Sequence, residues 1–559
     1  MMRGPGTRRQ DVTEHLIAVT PSAYEFPLLI KQLLITPIAR ASRNEIVYSD
    51  RSRYGYPEFV RRINRLGNVL TGLGAQAGDT VSVMDWDSHR YLECYFAVPM
   101  LGCVLQTVNI RLSPDQILYT LNHARSKVIV VHRDFVPVLD AIAGQLTSAK
   151  TFIVIDEDPV ATEPRFAGEY EALMAGASTE YEFPDFDERT HATIFYTSGT
   201  TGLPKGVYYS HRQMVLHALG VLATCGTAPT ERGRVGETDV YMPITPMFHA
   251  HAWGWPYAAT LLGIKQVYLG RYTPEKVLAA IKREGATFSH CVPTLLQMML
   301  TCPEADTVDL SRMKFLIGGS ALPVGLAKMA MARGIEIFTG YGMSETGPLV
   351  VVNQLSPAEA GTGPDEQASI RARAGKPALL CDVRAVDEQM RPLPRDGSSV
   401  GEIVMRSPWL TQGYFDNPEA SEALWRGGWL HTNDLGYFDD IGALRLTDRT
   451  KDVIKTGGEW VSSLELESLA SQHPAVAEVA FIATPDDKWG ERPMALIVLR
   501  PDHAGRTSVQ DIRAHLLAFA ERGVISKYAV PDKVLFVESL EKTSVGKLDK
   551  KVLRAKYAA

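Results

Sequence analysis

The chain has 559 residues, 45% of them hydrophobic and 22% charged, with 58 basic against 64 acidic side chains and a formal charge of −6. That length calls for more than one core-forming unit, and that composition excludes long disorder. Without a basic excess it also gives no electrostatic footprint for a nucleic-acid partner.

The start, "MMRGPGTRRQDVTEHL", is basic but lacks the apolar core of a secretory leader. After Pro57, Phe59, Ile63, Leu66, Leu70 and Leu73 recur at helical spacing until "GAQAGD". "TVSVMDW" from Thr80, "KVIVVH" from Lys127 and "TFIVID" from Thr151 read as strands with helices between them. The longest apolar run, "CYFAVPMLGCVL" near Cys94, is too short to span a bilayer, so the reading includes no transmembrane segment and leaves peripheral membrane contact open. The six cysteines are scattered without C-x-x-C spacing, which suits a reducing, cytoplasmic setting.

The strand–helix rhythm returns from "KQVYLG" at Lys265 through "ATFSHCV" and "MKFLIGG" to "IEIFTGYG" at Ile335. It predicts an α/β fold with helix-covered parallel sheets, whose ligands gather at the carboxyl ends of the strands. "GTGPDEQASIRARAGKP" then reads as loop, and a β-rich stretch follows from Gly401. A composition break at "TDRTKD" divides a large part, 1–448, from a small α+β part, 449–559. In the small part a helix is expected from about Ser463, and another opened by Ser508.

One polar stretch interrupts this pattern. "YTSGTTGLPKGV", Tyr196 to Val207, places three Gly, several hydroxyls and Lys205 directly after the apolar strand "ATIFY". Glycines let backbone amides point inward, and the hydroxyls of Thr197, Ser198, Thr200 and Thr201 add donors. Such an array with one ammonium group suits a polyphosphate. It is not a Walker loop, because G-x-x-x-x-G-K-[ST] is absent.

This stretch closely resembles the ATP phosphate loop of the acyl-adenylate-forming superfamily. "GGSALP" from Gly318, "YGMSETGP" from Tyr341, "HTNDLGYFD" from His431, "DRTKDVIKTGGEWVSS" from Asp448 and "KTSVGKLDKK" from Lys542 resemble further signatures of that family, in its order. The resemblance implies ATP-dependent activation of a carboxylic acid to acyl-AMP, followed by transfer to coenzyme A. It implies Mg²⁺ with the ATP and no tightly bound organic cofactor. Related long-chain enzymes often dimerise, which makes a homodimer an expectation.

The roles follow residue by residue. Thr197, Ser198, Gly199, Thr200, Thr201, Gly202 and Lys205 would hold the β- and γ-phosphates. Glu345 resembles the magnesium ligand, with Thr200 beside the metal, and Thr346 resembles the α-phosphate hydroxyl. Gly319, Ser320 and Ala321 would line the adenine site, with Tyr341 stacking on the base and Gly342 next to it. Asp434 would accept from both ribose hydroxyls, with Arg449 as its basic partner, since a carboxylate offers two acceptors to a vicinal diol. Lys547 would reach from the small domain to the carboxylate and α-phosphate oxygens. Where the family has Pro–Lys–Thr before this lysine, the chain has Glu541–Lys542–Thr543. That weakens any expectation of regulation by an acetylase that reads the proline.

"RTKD" places the family's hinge at Lys451, and rotation there would bring Gly457, Gly458 and Glu459 towards the pantetheine arm of CoA. For the acid, "TPMFHAHAWGWPYAATLLG" resembles the fatty-acyl subgroup. His249 would stand at the pocket mouth, Trp253 as a gating indole, and Gly318 as a small wall residue. The expected substrate is a medium- or long-chain fatty acid, with a short, branched, cyclic or 3-methylthiopropionate-type acid as the alternative. A carrier-protein acceptor and luciferase-type oxidation are weaker readings. A non-catalytic nucleotide-binding regulator would lack Glu345, Asp434 or Lys547, and all three are present.

Overall fold

The computed structural model describes residues 17–158, 163–197, 203–449, 451–456, 459–544 and 546–558. Two large sheets form the body. One has nine strands, with Val240–Tyr241, Lys265–Tyr268, Phe288–Cys291, Lys314–Ile317 and Glu336–Tyr341 parallel at its centre and antiparallel strands at both edges. The other has seven strands, six of them in parallel pairings from Gly168–Glu169 to His191–Thr197. Its last strand, Lys205–Ser210, returns antiparallel with Thr197 opposite Lys205.

The strands are β-branched and buried on both faces, as helix-covered parallel strands must be. Thr80–Met84 is buried at all five positions. The helix Tyr56–Gly72 forms where the apolar spacing predicts it, burying Phe59, Ile63, Leu66 and Leu70. The run around Cys94 is a wholly buried helix, His89–Met100, capped by the Ser88 side chain. Among the described residues no helix is long and apolar enough to cross a membrane.

One reading is corrected. The stretch taken as loop after Gln354 contains the helix Pro364–Arg371, entered through Pro364 in its first turn. Its Gly–Pro start and charge masked the pattern. Buried Ala368 and Ile370, and an Arg371–Glu336 ion pair at 2.8 Å, anchor it to the nine-stranded sheet.

A four-stranded antiparallel sheet, ending with Leu430–Phe438 and Leu444–Arg449, follows. Next comes the small domain, a five-stranded sheet around Val476–Asp486 and Gly490–Leu499. It carries helices Ser463–Ala470, Val509–Glu521 and Lys550–Tyr557. Lys451 and Asp452 form the turn between the two sheets.

Candidate active site

The strand ends bring the expected residues together. Lys314–Ile317 delivers Gly318 and Gly319, and Glu336–Tyr341 delivers Tyr341 and the turn that carries Glu345. The paired strands Leu430–Phe438 and Leu444–Arg449 set Asp434 opposite Arg449. Asp434 accepts from the Tyr341 hydroxyl at 2.7 Å and from Arg449 Nε at 3.2 Å. One carboxylate thus links Tyr341 to Arg449.

Lys547 enters from the small domain. A Cβ built on Gly319, whose φ is +82°, would lie 3.0 Å from Lys547 Cε and 3.1 Å from Val292 Cγ1. The lysine therefore lies across the glycine. Burial lowers its ammonium to about 8, Arg449 adds repulsion, and Asp434 and Glu345 oppose both. Among the described residues, three hydrogen bonds tie the loop behind it to the large domain. Asn109 Nδ2 donates to Ser544 Oγ at 3.0 Å, Arg111 Nη1 to the Ser544 carbonyl at 3.2 Å, and Thr294 Oγ1 to the Gly546 carbonyl at 3.1 Å. Sequence reasoning missed Asn109, Arg111 and Thr294. They sit just past the strands Val104–Thr107 and Phe288–Cys291, where ligands of a parallel sheet collect, and that rule could have found them.

Glu345 is 6% exposed, and burial raises its pKa. Its Oε1 accepts from Tyr414 at 2.7 Å, and the Tyr414 ring lies 4.6 Å beneath Lys205 Nζ. Tyr414, also missed, joins the expected metal ligand to the phosphate-loop lysine. A buried carboxylate is a hard oxygen donor, a type that fits Mg²⁺. Thr346 is fully buried, and its hydroxyl accepts from the Met343 amide at 2.9 Å and donates to the Pro348 carbonyl. It bridges the turn that carries Glu345. Gly342 is required where it stands, since a Cβ there would meet the Pro348 carbonyl oxygen at 1.6 Å. Ser320 and Ala321 are exposed at the rim.

Ser198, Gly199, Thr200, Thr201 and Gly202 lie outside the described residues, as do Gly457 and Gly458. Glu459 opens the strand Glu459–Val461, paired with Thr456.

The acyl-side residues lie in a strained segment. Ala250, His251, Ala252 and Trp253 have φ between 45° and 57°, ahead of Gly254 at 74°. Left-handed backbone costs roughly 1–2 kcal/mol per non-glycine residue, so neighbours must hold it. Met247 N donates to Asp87 at 2.7 Å, Thr107 donates to the Phe248 carbonyl at 3.0 Å, and His251 pairs with Thr193 at 2.5 Å. The turn aims Trp253 at Gly318, where a Cβ would meet its ring at 3.1 Å. His249 lies beside Lys547, and burial lowers it to about 3, helped by repulsion from Lys547 and Arg111.

Two adjoining cavities of about 280 and 140 Å³ share Arg111, Pro246, Leu295 and Met298. Trp86 and Arg271 are among the residues lining the larger, and His249, Val292 and Gly546, the residue before Lys547, line the smaller.

The sequence pattern of the AMP-binding enzyme family matches residues 37–415, and that of the AMP-binding enzyme C-terminal domain matches residues 465–547. The chain belongs to the AMP-binding enzyme family. It is 40% identical over 508 residues to a long-chain-fatty-acid–CoA ligase of Thermus thermophilus, covering 90% of each chain. It is 35% identical over 543 residues to a 3-methylmercaptopropionyl-CoA ligase of Ruegeria lacuscaerulensis, covering 95% of this chain and 97% of that one. The fold matches the crystal structure of the anthranilate CoA ligase AuaEII in complex with anthranoyl-AMP. There the TM-score is 0.83 at 26% identity, over 95% of this chain and 98% of that one. This AMP-binding enzyme thus shares its two-part architecture with acyl-adenylate-forming relatives.

Proposed function

We propose that this AMP-forming acid–CoA ligase activates a medium- to long-chain fatty acid. The carboxylate oxygen attacks the α-phosphorus of ATP, and the bond to pyrophosphate breaks. The thiolate of CoA then attacks the acyl carbon, and AMP leaves. The reading is carried by Lys547, which crosses Gly319 from the small domain and shares one locality with Asp434 and Glu345.

Each group has a task suited to its chemistry. The Lys547 ammonium faces the charge that develops between carboxylate and α-phosphate. Asp434, fixed by Tyr341 and Arg449, takes the ribose hydroxyls, and Lys205 with the loop from Thr197 takes the outer phosphates. Glu345 would hold Mg²⁺, a hard cation that neutralises phosphate charge when bound. Turning at Lys451 would withdraw Lys547 and free the loop from Asn109, Arg111 and Thr294. The two cavities offer the pantetheine arm its route.

A shorter acid, of the kind named for the Ruegeria relative, is favoured by one observation. Trp253 stands against Gly318 and packs on His290, with ring centroids 5.1 Å apart. Acid-dependent ATP–pyrophosphate exchange tests the activity, and a chain-length series tests the acid.

A further inference from the structure

Five aromatic side chains form a cluster that reaches Gly318 through Trp253. Tyr241 stacks on His290 at 5.6 Å, Trp253 tilts over His290 at 5.1 Å, and Trp255 meets Phe288 edge-on at 4.4 Å. Phe288 and His290 are two apart on one strand, so they share a face. Val292, the residue against Gly319 and Lys547, lies two positions further on in extended backbone, roughly 7 Å along the chain.

Two polar atoms in this cluster have no partner. His290 Nε2 pairs with the Tyr241 hydroxyl at 2.8 Å, but His290 Nδ1 and Trp255 Nε1 are buried and unsatisfied. Both residues are almost wholly enclosed, His290 at 0% and Trp255 at 1% exposure. Burial lowers the imidazole to about 3, so it is neutral and carries a single N–H. A core built only for packing would use apolar side chains here or pair these nitrogens. Both rings neighbour Phe288, and two orphans in one aromatic cluster that Trp253 joins to Gly318 point to a ligand that completes them.

We propose that His290, with Trp255, reads a hydrogen-bonding heteroatom on the acyl chain. The acid would then carry a hydroxyl, ether or thioether, in preference to a plain alkyl chain of equal length. An accepting oxygen or sulfur satisfies the Trp255 N–H, and a hydroxyl satisfies His290 in either tautomer. Sulfur adds a favourable contact with the surrounding rings. Trp253 must shift to admit the chain, and its place in a left-handed turn makes it the member of the cluster held by strain.

The inference rests on the ligase reading, and the test separates the two. Pyrophosphate release is measured for alkyl acids of increasing length and for counterparts carrying a hydroxyl or thioether at successive positions. At one position the heteroatom acid should exceed its alkyl counterpart in kcat/KM by about tenfold or more. In His290→Leu that ratio should fall to near one, while ATP binding, measured by calorimetry, is retained. His290→Asn should keep part of the preference. Alkyl acids that match or beat every counterpart in the wild-type enzyme would overturn the inference and leave the ligase intact. So would an unchanged ratio in His290→Leu. If no acid of either kind releases pyrophosphate, the ligase reading falls and this inference with it. The wild-type comparison decides the question whether or not the variants fold.

Discussion

Lys547 lies so close over Gly319 that a single added methyl group would sit 3.0 Å from its Cε. The glycine also holds a left-handed φ of +82°, so it serves both backbone and ligand approach. Gly319→Ala should slow the adenylation half-reaction roughly tenfold or more, since the lysine or Val292 must give way. Thioester formation from supplied acyl-AMP should change much less, because the proposed turn at Lys451 would by then have withdrawn the lysine. Single-turnover assays of the two halves check this split.

The loop that carries the lysine depends on Asn109, Arg111 and Thr294. Removing one such hydrogen bond costs about 1 kcal/mol, or roughly fivefold. Asn109→Ala and Thr294→Ala should therefore each slow adenylation by about that factor. The same variants should leave the thioester half unchanged or faster. Equal slowing of both halves would count against docking as their role.

The Lys547 ammonium titrates near 8, below its ordinary 10.5, mainly through burial. The charged form is present below about 8 and lost above it. Adenylation kcat/KM should therefore fall as pH rises through about 8, since that ratio reports the free enzyme. Between about 8 and 10.5 the unfolded chain binds the proton that the folded one has released. This group's contribution to stability should accordingly rise with pH over that window. A pH–rate profile of Lys547→Ala, expected to lose the alkaline limb along with most of the rate, identifies the group.

Tyr414 joins Glu345 to Lys205 through one hydroxyl and one ring face. Tyr414→Phe keeps the ring under the lysine and removes a hydrogen bond to a carboxylate, worth about 1.5–3 kcal/mol. The expected outcome is a rise of roughly tenfold or more in the KM for magnesium–ATP, with a smaller change in kcat. Titration of Mg²⁺ at fixed ATP should show a matching rise in the metal concentration required.

Much of this site was legible in the chain because its parts are short, contiguous motifs at strand ends. Gly319, Tyr341, Glu345, Asp434 and Lys547 could all be named from neighbours within a few positions. Tyr414 could not, since it acts through partners far away in the chain and a lone Tyr has no local signature. Asn109 and Thr294 are marked only by their place just past strand ends, and their partners lie hundreds of residues away. The helix Pro364–Arg371 was hidden for a related reason, since its stability comes from burying Ala368 and pairing Arg371 with Glu336. Thr346 shows the reverse limit. Its motif was recognised, but only the packing shows the hydroxyl bonded to Met343 and Pro348.

The most direct test of the account follows ATP and Mg²⁺ over a panel of acids, with and without CoA, measuring every nucleotide product. The account predicts AMP and pyrophosphate in step with thioester, multiple turnovers only when CoA is present, and near-complete loss in Lys547→Ala. ADP and phosphate as products, or no acid-dependent pyrophosphate at all, would contradict it.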